Sequence, residues 1–256
     1  MLMTNNITSN LIKLLDLQSP CVSFLAKLEK IDANKNLSLS EFEDIAGSDD
    51  FVNQLITFDS NNFGFGEFYE KIVFGKGIPY LRSLVIKLVA EELYDSEYIK
   101  GNKSKNLTGF KSCSIRLANF LKKFNDELGE SEDDSYLSGL FFRLPTLAEI
   151  ILEDPAHGFE DNFDNNLDEF LGNSLSEMGF SPFITTMVSD SLKDFQSVTF
   201  PLAQALARIG NQAYQKIAKE GRHSLTDWYP DRDMLDVIGL GRRQIFEVIK
   251  TQITKS

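Results

Sequence analysis

The sequence predicts an all-α protein, a bundle of about a dozen helices. Three features carry that expectation. Apolar residues recur at three- and four-residue spacing in segment after segment. No stretch alternates apolar and polar residues as a half-buried strand would. Ser38 or Ser40 opens one segment, and Gly47, Gly75 and Gly129 close three of them, as at helix ends.

Taken in order, "NLIKLLDL" and "CVSFLAKLEKI" carry helical spacing. "LSEFEDIAG" can be capped by Ser38 or Ser40, has acids in its first turn and stops at Gly47. "DDFVNQLITF" follows, and then "GEFYEKIVFG", ended by Gly75. "GIPYLRSLVIKLVAEELY" is long and apolar on one face. "SIRLANFLKKFNDELG" is amphipathic and ends at Gly129. "DDSYLSGLFFRLPTLAEIILED" is apolar nearly all round, which predicts a central buried helix. "NNLDEFLGNSLSEMG", "SPFITTMVSDSLKDF", "TFPLAQALARIGNQAYQKIAKEG", "DRDMLDVIG" and "GRRQIFEVIKTQITK" complete the series. No fixed-period repeat stands out. The polar segment "GNKSKNLTG" (101–109) is the best internal boundary. It divides an N-terminal helical subdomain, 1–105, from a C-terminal one, 106–256. So short a connection predicts that the two pack together.

With 256 residues, 42% of them hydrophobic, the chain can bury a substantial core. Its net charge of −12 argues against nucleic acid, whose binding draws on clustered Lys and Arg. The acidic clusters "ESEDD" (130–134) and "FEDNFDNNLDEF" (159–170) read as solvated loops or helix starts. No apolar run approaches the roughly 20 residues of a membrane span, and the first residues lack the pattern of a secretory signal. Together these predict no membrane association and a cytoplasmic location. Cys21 and Cys113 read as buried thiols in a reducing compartment.

Two stretches have the outline of a calcium loop. "DANKNLSLSEFE" offers Asp32, Asn34, Asn36 and Glu43 at the ligand places, with Leu39 where the pairing aliphatic belongs. However, Leu37 stands where the turn needs Gly. "DSNNFGFGEFYE" offers Asp59, Asn61 and Glu70, with Gly64 at the turn, but Phe63 replaces a ligand and Gly66 the aliphatic. Only residues 44–58 separate the two, too few for an exiting helix, a linker and an entering helix. Helix caps and a turn explain both stretches better.

Other local signals are weak. "GLGRRQ" (239–244) lacks the third glycine of a dinucleotide loop and follows no strand. "SCS" (112–114) has no nearby His. The most unusual cluster is "TDWYPDRD", with Asp227, Trp228, Tyr229 and Asp231. Aromatic residues of this kind are enriched at protein interfaces, so Trp228, Tyr229 and Asp231 form a candidate interaction cluster.

Read end to end, residues 19–253 resemble the HDOD family, bacterial all-helical regulatory domains related to the HD phosphohydrolases. The resemblance lies in the order of "SPCVSFLAKLEKI", "LSEFEDIAGSDDFVNQLITFDSNNFGFG", "GKGIPYLRSLVIKL", "SYLSGLFFRLPTLAEIIL", "MGFSPFITTMV", "LAQALARIGNQAYQKI" and "IGLGRRQIFEVI". In HD hydrolases, His and Asp side chains hold a metal that activates water or orients phosphate. By the resemblance, Phe142-Arg143 stands in place of the namesake His-Asp pair. Cys113 (or a neighbour), Leu167 or Asp168, and Ser191-Leu192 stand where other histidines would be. The chain's two histidines, His157 and His223, lie in polar stretches and rescue none of these places. The resemblance thus implies a degenerate domain without metal or cofactor. It would be a non-catalytic adaptor with protein partners in a signalling pathway. The alternative is a calcium-binding helical protein with degenerate loops; a residual metal-dependent phosphohydrolase ranks below both.

Overall fold

The structure, a computed structural model, describes residues 11–13, 15, 17–59, 63–94, 109–153 and 166–253. It is 74% helical, with 14 α-helices and no strand among the described residues. The expected all-α class holds. The chain divides into two compact units, 1–99 with Glu177–Phe180, and 100–176 with 181–256. The boundary expected between 105 and 106 lies outside the described residues.

In the first unit, α1 (Pro20–Leu28) starts on a proline, whose missing N–H costs nothing in a first turn. α2 (Leu39–Ala46) is capped by Ser38, not Ser40. Ser38 accepts from the Glu41 amide, the Glu41 carboxylate accepts from the Ser38 amide, and Gly47 ends the helix at φ 74°. α3 (Asp49–Phe58) is capped by Ser48. α4 (Phe65–Phe68) runs on into a widened π turn, Tyr69–Phe74, closed by the Gly75 amide on the Glu70 carbonyl. α5 (Gly77–Glu92) packs on α1, on α3 and on the π turn. Phe24 anchors the core between Phe42 (ring centres 6.1 Å apart) and Phe51 (5.1 Å). A largely buried ion pair, Arg82 to Glu29 at 2.6 Å, joins α5 to the residue after α1.

The second unit is built around α6 (Phe110–Lys122), with Leu117, Phe120 and Leu121 fully buried. A short α7 (Asn125–Leu128) ends at Gly129 in the left-handed region, as the glycine predicts. α8 (Glu132–Phe141), capped by Ser131, lies against α6. Then come α9 (Leu144–Leu152), α10 (Leu167–Met178) and α11 (Pro182–Ser189), the last capped by Ser181. α12 (Pro201–Glu220) packs on α6. A 3₁₀ turn (Arg222–Leu225), α13 (Arg232–Ile238) and α14 (Arg242–Ile253) close the chain, with α14 also on α6.

Two expected helices are interrupted. "SIRLANFLKKFNDELG" breaks at Lys123-Phe124 into α6 and α7. The segment read as one central helix breaks at Phe142-Arg143 into α8 and α9. Pro145 is the cause: it cannot donate to a preceding turn and its ring would crowd the carbonyl four residues back. Contrary to the sequence expectation, Glu132–Leu152 reaches, at 21 residues, the length and apolarity of a membrane span. However, 72% of its most apolar window is buried inside the protein, as befits core helices.

Candidate functional site

Of the positions that the resemblance aligns with metal ligands, Cys113, Phe142, Arg143 and Asp168 are buried. Phe142 is 4% exposed and belongs to the core formed by Leu117, Phe120, Leu206 and Tyr214. Arg143 is 5% exposed. It donates to the Phe110 carbonyl at 3.0 Å and lies over the Phe110 ring at 3.7 Å. Cys113, one turn into α6, donates its thiol to the Tyr214 carbonyl at 3.4 Å. Burial pushes the Cys113 thiol pKa up, against the pull of the Arg143 and Arg116 charges. The structure therefore brings Cys113 and Arg143 together.

Asp168 is buried, and its carboxylate accepts from the Glu169 amide at 2.9 Å. The Ser191 hydroxyl is buried with no partner among the described residues, and Leu192 is exposed. No group of three or more His, Cys, Asp or Glu side chains that could hold a metal occurs among the described residues. His157 lies outside them.

Sequence reasoning missed a polar lock beside these positions. Asp190, with a side chain 2% exposed, accepts from Lys193 at 2.8 Å and from the Thr199 amide at 2.7 Å. Burial raises its pKa, but these hydrogen bonds outweigh burial and hold it below the ordinary carboxylate range. Arg208, from α12, donates to the carbonyls of Asp190 and Lys193 at 2.9 and 2.6 Å. The group fastens the segment between α11 and α12. Nothing in one-dimensional spacing marks it, because the bonds to Arg208 span up to 18 residues.

Of the calcium-loop candidates, Asp32 and Asp59 make side-chain hydrogen bonds within the protein. Asp32 accepts from the Asn34 amide at 2.8 Å, a local Asx turn. Asn34, Asn36 and Glu43 are exposed, while Leu37 is buried and its carbonyl accepts from the Tyr69 hydroxyl at 2.8 Å. The carboxylate in use is that of Glu41, lowered to about 2 by bonds from Lys35 and Ser38. Asp59 accepts from Tyr80 at 3.0 Å, and Glu70 is exposed in the π turn. Asn61 lies outside the described residues.

The aromatic cluster and α14 form a second candidate site. Arg242, the first residue of α14, donates to the carbonyls of Trp228 at 2.9 Å and Thr226 at 2.6 Å. Its guanidinium also lies 3.9 Å from the centre of the Tyr229 ring. Tyr229 is thereby held in place while 73% exposed. Asp231 caps α13, accepting from the Asp233 amide at 2.8 Å. Beside this loop opens a cavity of about 770 Å³ lined by His223, Thr226, Arg242, Arg243, Phe246 and Lys250. No family model, curated protein or solved structure matches the chain.

Proposed function

We propose that the chain is a non-catalytic, cytoplasmic regulatory adaptor of HDOD type that works in bacterial signalling through protein contacts. The observation that carries this reading is Phe142. At the place where the resemblance puts a metal-binding histidine, a phenyl ring sits in the core and supplies no ligand atom. Arg143 beside it brings a cation that would repel a metal ion. Cys113, whose thiol is driven toward its neutral form by burial, is a poor ligand there too.

The Tyr229 loop is the contact surface in this reading. A tyrosine braced by an arginine offers a large contact area with little conformational entropy left to lose on binding. The test is cross-linked affinity capture from the native cell with the wild type and Tyr229→Ala. A defined partner recovered by the wild type, and reduced at least about tenfold by the substitution, is the expected result. Equal recovery by both removes the loop as the contact. Stoichiometric iron, manganese or nickel in the purified protein, with hydrolysis of nucleotides, would overturn the non-catalytic reading.

A further inference from the structure

We infer that the cavity against α14 is a binding site for a small organic phosphate of nucleotide size. This goes beyond the adaptor reading; the two share Arg242, which braces Tyr229 and walls the cavity, but the residues tested here, Arg243 and Lys250, play no part in the Tyr229 contact.

The first observation is charge. The chain carries a net −12, yet the described lining of this cavity holds Arg242, Arg243, Lys250 and His223 and no carboxylate. Arg242, Phe246 and Lys250 stand at i, i+4 and i+8 on one face of α14, with Arg243 beside them, and His223 and Thr226 close the cavity from the preceding turn. Glu247, 62% exposed on its side chain, lies 3.8 Å from Lys250 in a loose surface pair.

The second observation is a division of labour. Arg242 is committed to the Trp228 and Thr226 carbonyls and so fixes the wall of the cavity. Arg243 is exposed and has no ion pair among the described residues, which leaves its planar donor fork available for a phosphate. The third is size and lining. About 770 Å³ falls in the range of small-molecule sites. The Phe246 ring, with the Lys250 ammonium 4.5 Å from its centre, and the alkyl stem of Arg243 add a partly apolar wall against which a flat base can lie. Inorganic phosphate alone would leave that wall uncovered.

The probe is ATP, titrated calorimetrically into the full chain without added metal, with tripolyphosphate as the phosphate-only control. Saturable binding of ATP, at least about tenfold weaker binding of tripolyphosphate, and a loss of about tenfold or more in Arg243→Ala/Lys250→Ala are expected. Far-UV circular dichroism establishes that the variant is folded; if it is not, the single Arg243→Glu variant, altered at an exposed position, replaces it. No binding at millimolar ATP, or unchanged affinity in the folded variant, overturns the site. Equal affinity for ATP and tripolyphosphate overturns its assignment to nucleotides.

Discussion

The guanidinium of Arg143 stacks 3.7 Å above the Phe110 ring and donates at 3.0 Å to the carbonyl of the same residue. Arg143 sits in the break between α8 and α9, and Phe110 is the first residue of α6. One side chain therefore ties the break to the start of the central helix. Arg143→Ala would lose the cation–π contact and one charge-assisted hydrogen bond to the Phe110 carbonyl, which keeps the Ser114 hydroxyl as a donor, at a cost of about 2 kcal/mol. Arg143→Lys keeps the charge but not the plane and is expected to cost about half as much. Urea denaturation of the three proteins measures both.

α8 can approach α6 closely only because residue 139 has no side chain. A Cβ there would come within 2.7 Å of the Ala118 Cα and 2.9 Å of the Leu117 carbonyl oxygen. These are backbone atoms and cannot rotate away. Gly139→Ala is expected to lose about 2–3 kcal/mol or more by pushing the helices apart. Gly129→Ala is the control: it faces open space at φ 70° and is expected to cost about 1 kcal/mol, from backbone strain alone. Thermal and urea unfolding distinguish the two.

The start of α2 was legible because its signal is local: Ser38, one of two caps that the sequence offers, accepts an amide hydrogen bond from three residues ahead. Ser48, Ser131 and Ser181 cap α3, α8 and α11 in the same way. The break at Phe142-Arg143 was also local, but the apolar run on both sides hid the effect of Pro145. The π turn at Tyr69–Phe74 has no composition of its own and left no signal. The basic cavity was invisible for a different reason. Arg242, Arg243 and Lys250 read as the polar face of an amphipathic helix until His223 and Thr226 are brought opposite them.

Asp190 makes stability depend on acid. Its pKa is lower in the folded protein than in the unfolded chain, so its contribution is complete above the ordinary aspartate value of about 3.9. That contribution is lost as pH falls through the lower, folded value. Asp190→Asn keeps the shape and removes the charge. It is expected to cost about 2 kcal/mol at neutral pH, where charge-assisted bonds to Lys193 and Thr199 are weakened. The variant should also show a shallower loss of stability on acidification below about pH 5. Urea midpoints across that pH range give both quantities.

Cys21 is fully buried and Cys113 is 3% exposed, with burial raising the pKa of the Cys113 thiol. The reactive thiolate is therefore both scarce and shielded at Cys113, and Cys21 is shielded by packing. A chromogenic disulfide reagent is expected to label neither thiol on mixing with the native protein and both in denaturant. Rapid labelling of the native protein at Cys113 would show that the α6–α12 contact opens readily.

Tyr214 presents the opposite balance, a polar atom whose removal should help. It is fully buried on α12, its ring meeting Phe120 edge-on at 6.3 Å. Its hydroxyl has no hydrogen-bond partner among the described residues, and burial drives its pKa upward. Folding therefore removes the hydroxyl from water without a replacement bond, a cost of about 1–3 kcal/mol for a neutral group. Tyr214→Phe keeps the ring, and with it the packing against Phe120, and deletes the uncompensated atom. The small void left where the oxygen was offsets part of the gain. The net expectation is a stabilisation of up to about 1 kcal/mol, read as a higher urea midpoint with an unchanged slope. Destabilisation by more than about 1 kcal/mol would mean that the hydroxyl is bonded in solution, by water or by a residue outside those described.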